Sequence, residues 1–183
     1  DALEAIREDA EVRGITSVRD VFISNGCSEG IEVALSALCE PGENILTPSP
    51  GYPLYTALVC KLGLEENPYF LDEANGWQPD LEDLESRINE KTRAIVLINP
   101  NNPTGSVCAR ETLEGLVDIA RRHGLLIVSD EIYGDLTLDG IEPISTASLD
   151  TDLPVLTFNG LSKAWLGPGL RVGWGILSGR EDL

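Results

Sequence analysis

The chain has 183 residues, 42% hydrophobic and 24% charged, which is enough for one domain with a real core or two very small ones. That apolar content excludes disorder, and 18 glycines and 11 prolines without a period exclude collagen-like or low-complexity character. Thirteen basic against 31 acidic residues give a formal charge of -18, which argues against nucleic acid or an anionic membrane as partner, since both are bound through Lys and Arg. Along the chain, Leu3, Ile6 and Ala10 stand at helical spacing and predict a helix over 1–13, ended by Gly14. A strand is expected at 21–24, then the turn NGCSEG and an apolar-faced helix over 28–39. After a strand at 45–48 and a Pro/Gly/Tyr loop comes a helix over 53–62. The stretch 64–71 reads as an edge strand, where Pro68 is tolerated. Asp80 is placed to cap a helix over 81–90, with Asp83 three residues later.

The β-branched run at 93–98 predicts a strand buried on both faces. After NPNNPTG, the helix 110–123 carries Leu113, Leu116, Val117 and Ala120 on one side, with Gly124 just past its end. Strands at 125–131, 155–158 and 171–177 complete the pattern. Seven strands alternating with helices predict an α/β fold, a three-layer α/β/α sandwich around a mostly parallel seven-stranded sheet, with residues 1–183 as one domain.

No stretch approaches ~18 uninterrupted apolar residues and the N-terminus is charged, so neither a spanning helix nor a secretory signal is expected. The chain contains no methionine, and a segment of a longer polypeptide is expected. Cys27, Cys39, Cys60 and Cys108 are widely spaced, with only His123 to join them. No metal site is expected, and reduced thiols in a cytoplasmic protein are the economical reading. Only Lys61, Lys91 and Lys163 are lysines. An acidic, lysine-poor chain fits a high-salt interior, where screening removes self-repulsion, and fits an ordinary acidic surface equally well.

Open α/β sheets bind ligands beyond the carboxyl ends of their strands. Those ends carry Asn25, Gly26, Cys27 and Ser28, then Ser49 to Tyr52, then Asn99 to Gly105, then Asp130 with Tyr133, and finally Asn159 to Lys163. A lysine, an acid, two tyrosines, an amide and a glycine turn opening a helix suit a cationic heteroaromatic ring with an anionic tail, held as an imine. Taken singly, each has a plainer reading. Asp130 fits a cap, Tyr133 core packing, Lys163 a solvated loop, Asn102 turn chemistry and Ser28 a helix cap. Trp77 reads as a loop anchor and His123 as a helix-end residue. Gly167, Gly169 and Gly173 precede a strand rather than follow one, which excludes a dinucleotide fingerprint.

In combination and order, NPNNPTG, SDEIYGDL and TFNGLSKAWLGPGLRVGW resemble the pyridoxal-5′-phosphate (PLP) aminotransferases of fold type I, class I. Within that family the pattern is similar to bacterial and archaeal alanine aminotransferases, and the likeness includes RG before the first strand, the NGxSE turn and the PxYPLY loop. The resemblance implies the family's large PLP-binding domain, with the last strand antiparallel, and with an N-terminal segment and a small C-terminal domain outside these residues. It implies Lys163 as the Schiff-base lysine, Asp130 beside the pyridine nitrogen, and Tyr133 and Asn102 on the phenolic oxygen, Asn102 also facing substrate. Tyr52 would stack on the ring. Gly26, Cys27 and Ser28 would cradle the phosphate, with Arg171 as its clamp. Many relatives have serine three residues before the lysine; Gly160 stands there, and Ser162 is the expected substitute. The family also implies a cis Asn102–Pro103 bond, with Ser49–Pro50 a second candidate. The activity implied is amino transfer from an L-amino acid, L-alanine first, to 2-oxoglutarate, in a cytoplasmic homodimer whose substrates are an amino acid and a 2-oxo acid. Other donors (aspartate, aromatic, branched-chain), a PLP β-lyase and the aminotransferase-like sensor half of a transcription regulator are the alternatives.

Overall fold

The computed structural model describes residues 1–138 and 140–180; positions 181–183 of the expected domain lie outside the described residues. Among the described residues, five α-helices and eight strands occur in the order α1 (Ala2–Val12), β1 (Val18–Asn25), α2 (Cys27–Leu38), β2 (Asn44–Ser49), α3 (Pro53–Leu62), β3 (Glu65–Asp72), β4 (Gln78–Pro79), α4 (Leu81–Ser86), β5 (Thr92–Ile98), α5 (Arg110–His123), β6 (Leu126–Asp130), β7 (Val155–Gly160) and β8 (Val172–Ser178). The sheet order is β1-β8-β7-β6-β5-β2-β3-β4. Neighbours from β7 through β3 pair in parallel. The last strand, β8, runs antiparallel between β1 and β7.

Alternation along the central strands divides the core in two, as period-2 side chains must. From β5, Ile95 and Leu97 pack with Ile6 and Ala10 of α1, Leu84 of α4 and Leu113, Leu116 and Ala120 of α5. Ala94, Val96 and Ile98 pack instead with Ile31 and Leu35 of α2 and Tyr55, Leu58 and Val59 of α3. The outcome is the expected sandwich, α1, α4 and α5 on one face and α2 and α3 on the other. Each fully buried Ile, Leu or Val contributes about 1.5–3 kcal/mol.

Local chemistry fixes the helix ends. Asp1 and Glu4 form a capping box on α1. The helix α5 ends at Gly124 in the left-handed conformation (φ 63°), with Arg121, Arg122 and His123 in its last turn. His123 Nε2 lies 2.9 Å from Glu85 Oε1, a surface contact. Trp77 packs its half-buried ring against the first core.

The structure corrects three expectations. The sheet has eight strands, because the two residues of β4 pair antiparallel with Leu71 and Asp72 and make β4, not β3, the edge. The helix expected over 81–90 stops at Ser86. Asp80 caps it by accepting from the N–H groups of Glu82 and Asp83, but Asp83 turns to the Phe70 N–H and Arg87 instead of reaching back. The third concerns Ser28, which caps nothing: the N-cap of α2 is Gly26, and no side chain caps that helix.

The peptide bonds before Pro50, Pro100 and Pro103 are cis. At the edge of the sheet, β8 lies tightly against the start of α2. A Cβ on Gly173 would fall 2.3 Å from the Cys27 nitrogen and 2.5 Å from the Gly26 carbonyl carbon. Gly173→Ala is therefore expected to destabilise the chain by about 1–3 kcal/mol, the usual range for overpacking, measured as a lower urea midpoint. An unchanged midpoint would show that this contact has slack.

Candidate functional site

A cavity of about 260 Å³ opens at the carboxyl edge of the sheet, lined by Cys27, Ser28, Tyr52, Asn102, Asp130, Tyr133, Ser162, Lys163 and Arg171 together with Ile31, Leu54, Ile98, Ile132 and Pro168. It brings together all the sequence-predicted site residues except Gly26, which lies one residue before Cys27 at the rim. The placement follows from register: Ile98 of β5 pairs with Asp130 of β6, and Asp130 with Phe158 of β7, so three parallel strands deliver their C-terminal loops to one place.

Asp130 is 4% exposed. Its Oδ2 accepts from the Tyr55 hydroxyl at 3.0 Å and its Oδ1 from the Ile132 N–H at 3.3 Å. Burial pushes this carboxyl up to about 6, against the Tyr55 and Ile132 hydrogen bonds and the charge of Lys163, which pull it down. Asn102 Nδ2 donates to Tyr133 Oη at 3.3 Å, and Lys163 Nζ stands 5.5 Å from the centre of the Tyr133 ring. The Cys27 Sγ lies 4.0 Å from Asp130 Oδ1, and burial raises that thiol well above its ordinary value. It is a neutral wall of the cavity at physiological pH.

The cations of the cavity are distinguished by what they do not touch. Lys61 and Lys91 are paired with Glu32 and Glu65, whereas Lys163 has no acid within ion-pair distance among the described residues. Most arginines are paired too, Arg13 with Asp9 and Asp135, Arg87 with Asp83, Arg121 with Asp150. Arg171 instead donates to the carbonyls of Pro168 and Asn25, at 3.1 and 3.3 Å. A Cβ on Gly26 would lie 2.2 Å from Arg171 Nη2, so glycine, with φ 81°, is what lets the guanidinium cross the uncapped N-terminus of α2. Backbone N–H groups, a helix dipole and an acid-free guanidinium on one spot make an anion site. Gly160 also has a reason: a Cβ there would meet the Val172 oxygen at 2.8 Å, so Ser162 is the hydroxyl this backbone offers to the cavity.

Two residues escaped the sequence reading. Tyr55 stood in the PxYPLY string, in the first turn of α3 and three positions after Tyr52 at its N-cap, but nothing marked it as more than core. Glu131 is buried on the other side of β6, where its Oε1 accepts from Ser129 Oγ, Ser145 Oγ and the Thr146 N–H at 2.8, 3.0 and 3.1 Å. Burial pushes it up to about 7.

An α/β/α sandwich with a cavity at the carboxyl edge of its sheet is the architecture of an aminotransferase, and the comparisons with known proteins show the family. The family model described as aminotransferase class I and II matches residues 2–180. The alanine aminotransferase of Mycobacterium tuberculosis is 49% identical over 165 residues, covering 90% of this chain and 38% of the relative. The glutamate-pyruvate aminotransferase AlaA of Escherichia coli K12 is 45% identical over 180 residues, covering 97% and 44%. A crystal structure of an aminotransferase from Escherichia coli superposes with a TM-score of 0.96 at 44% identity, covering 99% of this chain and 45% of that one. The chain belongs to the class I and II aminotransferase family. It spans less than half the length of these relatives.

A buried carboxyl sets a pH dependence. Glu131 in the folded chain holds its proton up to about 7, whereas its unfolded value is near 4.5. Between those values the folded state binds more protons, so stability falls as pH rises from about 4.5 to 7. Glu131→Gln removes this contribution and flattens the urea-derived stability curve over that window by about 3 kcal/mol. A parallel curve for the variant would refute the assignment.

Proposed function

We propose that residues 1–183 are the PLP-binding large domain of an alanine aminotransferase, cytoplasmic and homodimeric, transferring the amino group of L-alanine to 2-oxoglutarate by ping-pong turnover. The observation that carries the reading is the meeting of an unpaired lysine, an acid-free arginine and a buried carboxylate in one cavity of a chain with 31 acidic residues. The relatives' names, alanine and glutamate-pyruvate aminotransferase, support the choice of donor.

The residues present fit the cofactor at each end. The uncapped turn at Cys27 and Ser28, with Ser162 and Arg171, suits a phosphate. Asp130 suits a protonated ring nitrogen, because a buried carboxylate favours a cation beside it over water. Tyr133 and Asn102 offer hydrogen-bond donors for the phenolic oxygen, and Tyr52, 40% exposed at the mouth, offers an aromatic face for the ring. When bound, PLP supplies an electron sink for the pair released as the substrate's Cα–H bond breaks. Asp130 keeps the ring nitrogen's proton in place. Lys163 Nζ would be the amine that holds the cofactor, and as a free amine it would be the base positioned to take the proton from the substrate's Cα. Asn102 borders the side of the cavity where substrate enters. Trp165, Leu166 and Leu170, exposed by 70%, 85% and 66% between Lys163 and Arg171, form an apolar rim suited to a second subunit.

The test is absorbance of the full chain with PLP. A band at the visible edge is expected, bleached by L-alanine and absent in Lys163→Ala. Persistence of the band in that variant would refute the lysine's role, and bleaching by another donor alone would refute alanine. Asp130→Asn is expected to retain the cofactor while turnover falls by roughly a hundredfold or more, the scale of losing one preorganised electrostatic partner. Unchanged turnover would contradict its role.

A further inference from the structure

The hydrogen bond from Tyr55 to Asp130 is not explained by core packing alone. Two tyrosines of this chain are fully buried, Tyr55 and Tyr69. Each must place its hydroxyl on an acceptor, because an unpaired buried O–H is costly. Tyr69 meets that need with a main-chain carbonyl, that of Val96 at 2.8 Å. Tyr55 donates its hydrogen bond to Asp130, the one carboxylate lining the cavity among the described residues. We infer that Tyr55 is a positioning residue for Asp130, fixing the orientation and the charged state of the carboxylate that faces the ring nitrogen; this deepens the PLP reading and rests on it.

The geometry supports both parts. The Ile132 N–H holds Oδ1 from the strand side and the Tyr55 hydroxyl holds Oδ2 from α3. The carboxyl plane is thus pinned at both oxygens, Oδ1 also meeting the Cys27 thiol at 4.0 Å, while Oδ2, hydrogen-bonded to Tyr55 among the described residues, keeps a lone pair for a ligand. Charge is governed by the groups facing it. Tyr55 comes from α3, Cys27 from α2, Tyr133 and Lys163 from the loops after β6 and β7, and Arg171 from the segment before β8. Among these Asp130 is the only anion at neutral pH, and no cation lies within ion-pair distance of it among the described residues. Burial favours its neutral form, and a donor on the ionised oxygen opposes that. Tyr55 is the first of the opposing influences, ahead of Ile132 and Lys163.

The experiment titrates Asp130 in the cofactor-free full chain, by carbon-13 NMR of labelled aspartate, its resonance assigned by loss in Asp130→Asn. Tyr55→Phe keeps the ring and removes the donor, and is expected to raise the midpoint by roughly one pH unit. A 3-fluorotyrosine at position 55, the same shape with a more acidic hydroxyl, is expected to lower it, and serves if Tyr55→Phe does not fold. The acid limb of PLP affinity, read by fluorescence, should move in the same direction as each midpoint. A midpoint unmoved by either replacement, in protein that binds PLP, overturns the role of Tyr55. A midpoint that moves in protein that never binds PLP overturns the cofactor reading and leaves the Tyr55–Asp130 coupling intact.

Discussion

The site depends on a carboxylate held where water cannot reach it. Asp130 ends β6, between two parallel neighbours and beneath α2 and α3, and burial alone would strip its charge. What the structure provides in return is neutral donors rather than a salt bridge, the Ile132 N–H and the Tyr55 hydroxyl, with the charge of Lys163 acting only from across the cavity. An arginine bound directly to Asp130 would have satisfied it and left it inert. Neutral donors leave its negative charge uncompensated and directed into the cavity, which is the condition for holding a cationic ring nitrogen.

The cations follow the complementary rule. In a chain carrying -18, ten of the thirteen basic side chains find an acid and Arg19 turns to the Arg180 carbonyl, and such exposed pairs contribute little to stability. Lys163 and Arg171 are kept from that fate by where the backbone puts them. Arg171, itself in the left-handed region at φ 51°, reaches back across Gly26 to the start of α2. Lys163 lies in the turn after β7, facing Tyr133. The glycines make this possible: Gly173 lets β8 press on the α2 turn, and Gly26 lets the guanidinium lie over it. Close backbone approach, not flexibility, is their contribution.

Legibility in the sequence varied with the range of the cause. Helices α3 and α5 matched residue for residue, since proline and left-handed glycine mark their ends locally. The strand-end residues were legible because topology alone delivers them to one edge. The strand β4 was not, for two residues carry no period and exist as a strand only by pairing with Leu71 and Asp72. The spacing of Leu81, Leu84 and Ile88 continues past Ser86 and so predicted a longer α4. The chain leaves the helix there because Asn89 and Thr92 form their own turn, Asn89 N–H to Thr92 Oγ1 at 3.0 Å. Tyr55 was invisible for a different reason: a buried tyrosine has the same hydropathy whether its hydroxyl meets a carbonyl or a buried carboxylate.

The same limit explains the pair Asp130 and Glu131, which read in sequence as one acidic step at the end of a strand. Successive residues there point to opposite faces, so the two carboxyls enter different environments separated by the sheet. Asp130 turns to the cavity. Glu131 turns to a polar pocket where Ser129, Ser145 and Thr146 converge on one oxygen, tying the end of β6 to the short helical turn Thr146–Ser148. Arg13, anchored to Asp9 in α1 and to Asp135 two residues after Tyr133, holds the same loop from the other end. Tyr133 is thereby suspended between two fixed points, and its hydroxyl meets Asn102 without being packed in a core. One acid faces the cavity, and the other ties down the loop beside it.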